Sequence, residues 1–406
     1  MADELERSLA ALVAPQDEEP PPDLAYDLFV CETKTGRVVE SGLPFVGVPR
    51  WSFGINSAGV LDVGVPIDVV GKDTLRQLID PWRFSWGLAW GDFILQCGPV
   101  VDAQHDDDST DNVLSVGASG MWELLNHRLL VNAAWSKATK PVTDVTADLN
   151  ITGKTLHDIA RTLVSNDLAR WGTLPIILPG TQAAGTDERG YPGFDLAMTG
   201  VRLAELTQVQ DGPEVEFRPQ FTDATRTSVQ WSMLVGSPRL GNLQYPHAWR
   251  TGGAMMSLSS DHDGSQLLTE DWVRGNGMER GLLVGHAADA TLEAAGWPHL
   301  DNVNGDHTSA IDKSTLDGWA IAEINTYGRV MKTLKATVRM NGADLNGRRT
   351  GSPPITEVSA GDNAVIDVVG HRWLPDQVSG QRIISVSNGS SLSTAQLTLQ
   401  ATGATG

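Results

Sequence analysis

The sequence predicts an α+β protein rich in β-structure, with strands at both ends of the chain and a mixed α/β centre. Residues 51–55 and 61–67 alternate apolar side chains with polar or small ones, as half-buried strands do. The same alternation appears near the C-terminus, at residues 334–340. Between these regions, apolar side chains at residues 156–164 recur every three or four positions, which is typical of a helix. The strand patterns therefore lie on either side of a helical one.

The N-terminal strand patterns predict a β domain. Residues 56–59 (NSAG) are turn formers between the two alternating runs, so we expect a hairpin there. Further short apolar runs, separated by Gly, Pro and Asp, continue to about Trp135, as in a β-barrel or sandwich. We predict a first β domain over residues 23–135.

The centre of the chain combines helical and strand patterns. Residues 156–164 are expected to lie in a helix, with Thr152 as its N-terminal cap and Gly172 as its end. A loop rich in Gly and Pro follows, and later segments indicate short helices and paired strands. We predict a mixed α/β region over residues 136–318, whose strands near 226–260 are able to join the C-terminal domain.

Two terminal segments complete the predicted organisation. A helix is expected at residues 314–328, and short alternating strands continue from there, so we predict a second β domain over residues 319–406. Residues 1–22 are acidic and proline-rich, which predicts a flexible arm. This arm lacks the basic start and the small-residue cleavage site of a signal peptide.

The charge balance limits the partners. Thirty basic residues against fifty acidic ones give a formal charge of −20, which argues against binding to nucleic-acid backbones or anionic membranes. A strongly negative surface is compatible with the wall of a channel through which DNA passes without binding. Solubility alone explains the negative charge equally well. The chain has no run of eighteen apolar residues, so we expect no stable membrane insertion.

The segment from His105 to Asp111 raises the question of a metal site, because it holds one histidine and four aspartates. Counted from Asp102 or from Asp106, it lacks the central glycine and the final glutamate of an EF-hand loop. A zinc site would need further His or Cys nearby. Apolar runs flank the segment on both sides, so we predict an exposed hairpin tip and no metal-binding residues.

Three short motifs resemble parts of ligand-binding or catalytic loops, and each departs from the full pattern. The TGKT at residues 152–155 has Asp148 where a phosphate-binding loop needs glycine. The GASGM at residues 117–121 has Met121 where a nucleophile elbow needs glycine. The glycines of residues 275–281 lack the strand-to-helix context of a dinucleotide site. We therefore predict no cofactor and no cofactor-binding residues.

Two histidines stand next to aspartates and are the candidates for a catalytic base. His262 lies between Asp261 and Asp263, and His307 follows Asp306. Both lie in stretches rich in Gly, Asp and Ser, where turn formation is the simpler explanation. We predict no catalytic residues and no enzyme activity.

The cysteines and tryptophans fit packing roles. Cys31 and Cys97 are too few for a disulfide framework or a zinc cage, and their apolar neighbours predict small buried thiols. The thirteen tryptophans also allow a second interpretation, in which aromatic rings line a groove and stack on sugars. Such a groove would suggest a glycan binder or a glycosidase. Several of them lie in periodic strand or helix patterns, which favours core packing.

The order of segments resembles a known family. Residues 26–67, YDLFVCETKTGRVVESGLPFVGVPRWSFGINSAGVLDVGVPI, are similar to the start of minor tail proteins from siphophages of actinobacteria. Further similar segments follow in the same order: WGDFILQCGPVVDAQ, TLHDIARTLVS, DGPEVEFRPQF, VQWSMLVGSPRLG, DATLEAAGWPHLDNV, SAGDNAVIDVV and GQRIISVS. The resemblance covers roughly residues 24–400, and the acidic arm before residue 23 departs from it.

The resemblance implies a hub at the phage tail tip, like contractile-phage baseplate hubs, with two β-barrel-like domains and α/β insertions. It implies a homotrimer below the distal tail protein ring, adapting a sixfold tail to a threefold tip. The implied partners are that ring, the tape-measure protein and other tail-tip or fibre proteins, with phage DNA present only in transit. The protein would be assembled in the host cytoplasm and reside in the virion. A cell-wall-degrading or glycan-binding tail-tip protein is the alternative.

Overall fold

The computed structural model of the protein describes residues 24–105, 112–244, 246–305, 307 and 310–401. The predicted arm at residues 1–22 lies outside the described residues, and so does most of the acidic segment, residues 106–111. No described helix is long and apolar enough to cross a membrane.

The described strands and helices are numbered in chain order. The strands are β1 (Tyr26–Glu32), β2 (Val38–Leu43), β3 (Val46–Gly54), β4 (Val60–Pro66), β5 (Phe84–Trp90), β6 (Phe93–His105), β7 (Val113–Ser119), β8 (Leu149–Lys154), β9 (Ile176–Ile177), β10 (Asp187–Tyr191), β11 (Val215–Phe221), β12 (Val229–Val235), β13 (His247–Arg250), β14 (Met255–Asp263), β15 (Glu270–Arg274), β16 (Val284–Ala288), β17 (Asp301–Asn304), β18 (Met331–Arg339), β19 (Asn363–Val368), β20 (Gln377–Asn388) and β21 (Thr394–Ala401). The helices are α1 (Ile67–Val70), α2 (Lys72–Leu78), α3 (Met121–Leu125), α4 (Leu156–Trp171), α5 (Thr199–Thr207), α6 (Thr291–Ala294) and α7 (Lys313–Tyr327).

Strands from both ends of the chain form one 13-stranded sheet. Its order is β14-β18-β21-β20-β3-β4-β7-β6-β5-β1-β2, with β19 pairing β20 and β13 pairing β19. The two ends meet where β3 pairs antiparallel with β20, with Phe53 opposite Val386. In the described residues no pairing joins β2 to β14, so the sheet is an open path rather than a closed barrel. The predicted β-rich α+β class is confirmed.

The predicted N-terminal hairpin is formed by β3 and β4. Trp51 lies opposite Leu61, and both side chains are buried, as the alternating pattern requires. The connecting turn contains Gly59 at φ 68°, where a Cβ atom would lie 2.3 Å from the carbonyl oxygen of Ser52. Only glycine fits this close approach of the two strands.

Two apolar cores lie on opposite faces of β1. Leu28 and Val30 belong to the main core, which also contains residues of the C-terminal strands such as Leu397. Phe29 and Cys31 point the other way, into a second core that includes the helix α4. Because successive strand side chains alternate between faces, β1 is buried on both sides between the main sheet's core and the α/β centre.

The start of α4 differs from the prediction. Thr155, not Thr152, is the N-cap, and its Oγ1 accepts a hydrogen bond from the Asp158 N–H at 3.2 Å. Thr152 lies in β8, which pairs with β10 and therefore holds this residue in an extended conformation. Gly172 ends the helix at φ 96°, as predicted.

The described residues between 264 and 330 form a compact unit between two paired strands, here called the inserted subdomain. The strands β14 and β18 pair antiparallel, with Asp263 opposite Met331 at the end of the ladder. Inside the subdomain, β16, β15 and β17 form a separate three-stranded sheet. The helix α7 covers one face of this sheet, and Val273, Leu316 and Ala320 form a small core of their own.

Candidate functional site

The outer face of the inserted subdomain's sheet gathers polar side chains from three strands. On β15, Val273 faces the small core, so the alternate residues Glu270 and Trp272 lie on the opposite face. Glu270 pairs with Asp301 of β17, and Trp272 pairs with His286 of β16. Directly paired residues point to the same side of a sheet, which brings these four side chains together.

His299, which precedes β17, completes the cluster. Its Nε2 lies 3.2 Å from Asp301 Oδ2 and 3.6 Å from Glu270 Oε2. Its Nδ1 lies 2.7 Å from Glu293 Oε1. The other carboxylate oxygen of Glu270, Oε1, lies 2.7 Å from His286 Nε2. The five residues Glu270, His286, Glu293, His299 and Asp301 are called the histidine–carboxylate cluster below.

The cluster is accessible and its charges influence one another. The side chains of His299 and Asp301 are 48% and 56% exposed, whereas Glu270 is 22% exposed. The hydrogen bond with Glu293 raises the pKa of His299, and nearby Asp301 adds to this effect. The same bond lowers the pKa of Glu293. The cluster therefore combines imidazole nitrogens with carboxylate oxygens, and the Glu293–His299 pair favours the ionised form of Glu293.

Three donor atoms of the cluster are close enough to hold one metal ion. One atom each from Glu270, His299 and Asp301 lie within 4.8 Å of one another. Trp272 lies beside them, since its Nε1–H donates to Asp301 Oδ1 at 3.2 Å and its ring centroid is 4.1 Å from that of His286. This arrangement is able to bind a cation or to hold a proton between imidazole and carboxylate.

The two histidines chosen from the sequence lie elsewhere. His262 is exposed on β14, and the neighbouring Asp263 accepts a hydrogen bond from the Ser265 N–H at 2.8 Å, which is a turn contact. His307 is buried and stacks on Trp319, with ring centroids 3.7 Å apart and planes at 9°. Asp306 lies outside the described residues. The described contacts of Asp263 and His307 fit turn and packing roles.

The strands on either side of the acidic segment form the predicted hairpin. β6 and β7 pair antiparallel, with His105 opposite Leu114. His105 Nδ1 lies 3.2 Å from the carbonyl oxygen of Val113. The aspartates of residues 106–111 lie outside the described residues, so the absence of a metal there stays a prediction.

The cysteines are buried thiols, as predicted. Cys31 and Cys97 are both fully buried, with their Sγ atoms 4.0 Å apart. Burial raises the pKa of Cys97 well above its ordinary value, which keeps the thiol protonated.

Sequence reasoning missed the histidine–carboxylate cluster because no short motif contains it. Its residues come from all three strands of the small sheet, from α6 and, for His299, from the segment just before β17. The parallel pairing of Glu270 with Asp301 brings together residues far apart in the sequence. The one available signal was the local spacing of Glu293, His299 and Asp301.

A second polar feature joins the α/β centre to the C-terminal strands. Arg382 of β20 forms a nearly buried ion pair with Glu214 and donates from Nε to the carbonyl oxygen of Gly361 at 3.0 Å. Arg218 of β11 donates to Glu216 at 2.7 Å and to Ser359 at 2.9 Å. These contacts connect the two regions by charge-assisted hydrogen bonds.

Comparison with known proteins assigns the architecture. No protein-family model matches the sequence, and no curated protein does. A 43 kDa tail protein of prophage MuSo2 from Shewanella oneidensis matches with a TM-score of 0.50 and 12% identity, over 94% of this chain and 100% of that one. A tail protein from Neisseria meningitidis MC58 matches with a TM-score of 0.51 and 13% identity, over 93% and 97%.

The fold is that of these two tail proteins. The predicted likeness to phage tail proteins is thus confirmed at the level of the fold. At this identity the match extends to the arrangement of strands and helices. An origin in an actinobacterial siphophage stays a prediction.

Proposed function

We propose that this chain is a structural tail protein of a long-tailed phage and forms the hub at the tail tip. The observation that carries the proposal is the length of the structural match. It spans 94% of this chain and all of the MuSo2 tail protein, so the whole architecture is shared rather than one domain. The order of segments that resembles siphophage minor tail proteins supports the same role.

In this proposal the hub is a homotrimer that links the distal tail protein ring to the tape-measure protein and to tail-tip or fibre proteins. Its β domains are residues 23–135 and 319–406, around the α/β region at residues 136–318. The shared sheet and the continuous main core support a hub that moves as one body. The nearly buried Glu214–Arg382 pair supports this too, because it ties the centre to β20.

The proposed hub lines or closes the channel through which the DNA leaves. The formal charge of −20 supports this role, since a negative wall repels the phosphate backbone and lets DNA pass without binding. We expect the face that lines the channel to be net negative in the assembled tail.

The inserted subdomain is the proposed contact surface for a neighbouring tail protein. Met278 and Ile311 are 84% and 83% exposed, although both are large apolar side chains. Their loops are adjacent, since the Asn276 N–H donates to the Ala310 carbonyl oxygen at 2.8 Å. Large exposed apolar patches mark interaction sites, and in this proposal a neighbouring tail protein covers these two side chains.

The proposal is tested by asking where the protein resides. Mass spectrometry of purified virions should detect the chain. Native mass spectrometry should detect trimers, either of the isolated chain or of the chain bound to assembling tails. A chain that is absent from virions and monomeric under both conditions would contradict the hub.

A cell-wall hydrolase or glycan binder is the second candidate, and one observation favours it. The histidine–carboxylate cluster lies beside Trp272, a residue able to stack on a sugar ring. We propose that the protein is not an enzyme. Zymography on cell walls compares the native chain with the Glu270→Gln and Asp301→Asn variants. A cleared zone that the native chain produces and both variants fail to produce would establish a hydrolase instead.

A further inference from the structure

The distances within the histidine–carboxylate cluster match those of a metal's ligand shell. A tetrahedral zinc site has metal–ligand bonds of about 2.0–2.1 Å, which places neighbouring donor atoms about 3.3 Å apart. In the cluster, His299 Nε2 lies 3.2 Å from Asp301 Oδ2 and 3.6 Å from Glu270 Oε2. The carboxylate oxygens of Glu270 and Asp301 lie within 4.8 Å of each other, so the three donor atoms surround one position for an ion.

The surroundings of His299 prepare it to act as a ligand. Its Nδ1 lies 2.7 Å from Glu293 Oε1. In the tautomer protonated at Nδ1, this carboxylate accepts the Nδ1–H and Nε2 has a lone pair for an ion. Metal-binding histidines generally have such a carboxylate or carbonyl partner on the second nitrogen. Glu270 is oriented in the same way, because His286 holds its Oε1 at 2.7 Å and turns Oε2 toward His299.

We propose that Glu270, His299 and Asp301 bind one divalent transition-metal ion of the Zn²⁺ class. Glu293 and His286 position the ligands, and the fourth coordination position is open to water. An imidazole ligand with two carboxylates favours Zn²⁺ or Co²⁺ over Ca²⁺ and Mg²⁺, which prefer oxygen ligands alone. All of these residues lie in the inserted subdomain, so the metal proposal does not depend on the proposed tail role.

The competing arrangement is an ion-pair cluster without a metal. There a doubly protonated His299 would donate from Nε2 to Asp301 and from Nδ1 to Glu293. The two arrangements differ in stoichiometry, since the first predicts one tightly bound ion per chain and the second predicts none.

The test titrates Co²⁺ and Zn²⁺ into the full chain after chelator treatment, near neutral pH. Visible absorption of Co²⁺ and calorimetry with Zn²⁺ should both show one site per chain. His299→Ala and Asp301→Asn should each lose binding, and Glu293→Gln should weaken it about tenfold while keeping one site. Circular dichroism checks that each variant is folded.

His262→Ala is the matched control, because His262 is another exposed histidine flanked by aspartates. This variant should bind the ion as the native chain does. A native chain that binds no stoichiometric ion would overturn the proposal, and so would a folded His299→Ala variant that binds as tightly as the native chain. The second result would assign the ion to another acidic surface.

Discussion

Asp362 shows at the scale of one residue how a buried carboxylate is kept ionised. It accepts hydrogen bonds from the Asn242 N–H at 2.6 Å and from the Ser359 N–H at 2.8 Å. His247 Nε2 lies 3.1 Å from Asp362 Oδ2. Burial by itself would raise the pKa of Asp362, but these contacts outweigh it and the pKa is lowered from its ordinary value of 3.8.

The lowered pKa fixes the sign of the pH dependence. The folded state holds the ionised carboxylate better than the unfolded chain does, so the stabilisation is complete above the unfolded value of 3.8. It is lost as the pH falls through the lower, folded-state pKa of Asp362. Acid should therefore weaken the contacts of Asn242 and His247 with Asp362, just before β19.

Asp362→Asn should lower the free energy of unfolding by about 1–3 kcal/mol near neutral pH, since charge-assisted hydrogen bonds are lost. The difference from the native chain should shrink as the pH falls from the ordinary value of 3.8 through the lower folded-state pKa of Asp362. Urea denaturation at neutral and acidic pH measures both. Asp73→Asn is the control, because Asp73 is 80% exposed and its pair with Arg76 should contribute little. An equal loss for both variants would contradict this account of Asp362.

At the scale of elements, the inserted subdomain is attached to the sheet as a separate unit. It begins after β14 and ends before β18, and these strands pair directly. Its small core around Leu316 is distinct from the main core. The main sheet should therefore fold without it.

Replacing residues 264–330 by an Asn-Gly turn should leave a folded chain, because Asp263 and Met331 are already paired across the hairpin. We expect far-ultraviolet circular dichroism of a β-rich protein and cooperative thermal unfolding. The shortened chain should also lose the proposed metal site. A chain that fails to fold would show that the subdomain supports the sheet.

Replacing Met278 and Ile311 by Asp should change stability by no more than about 0.5 kcal/mol, since both side chains are exposed. In the proposed hub the same double change should reduce incorporation into phage particles, because it places charge on a contact surface. Virion content after complementation measures this. Val69→Asp, at a residue 71% exposed on α1, is the control and should be incorporated normally.

Local patterns predicted the elements, whereas long-range pairing decided how they assemble. The β3–β4 hairpin follows from alternation and a turn that lie side by side in the sequence. The pairing of β3 with β20 joins residues near 53 and 386, and no local sequence pattern predicts it. The histidine–carboxylate cluster depends on such pairing too, since β15 and β17 lie parallel. The N-cap of α4 is Thr155 rather than the predicted Thr152, because pairing with β10 extends β8 past Thr152.

At the scale of the whole molecule, one sheet and one main core join the two ends of the chain. The α/β centre packs on the other face of β1 and is tied to β20 by the Glu214–Arg382 pair. This architecture matches two tail proteins over nearly their full length.

Reconstruction of the intact tail by electron cryomicroscopy is the most direct test of the hub. We predict three copies of this chain at the tail tip, below the distal ring, around a channel lined by net negative surface. Density for the chain at another position in the tail, or a basic channel wall formed by it, would contradict the account.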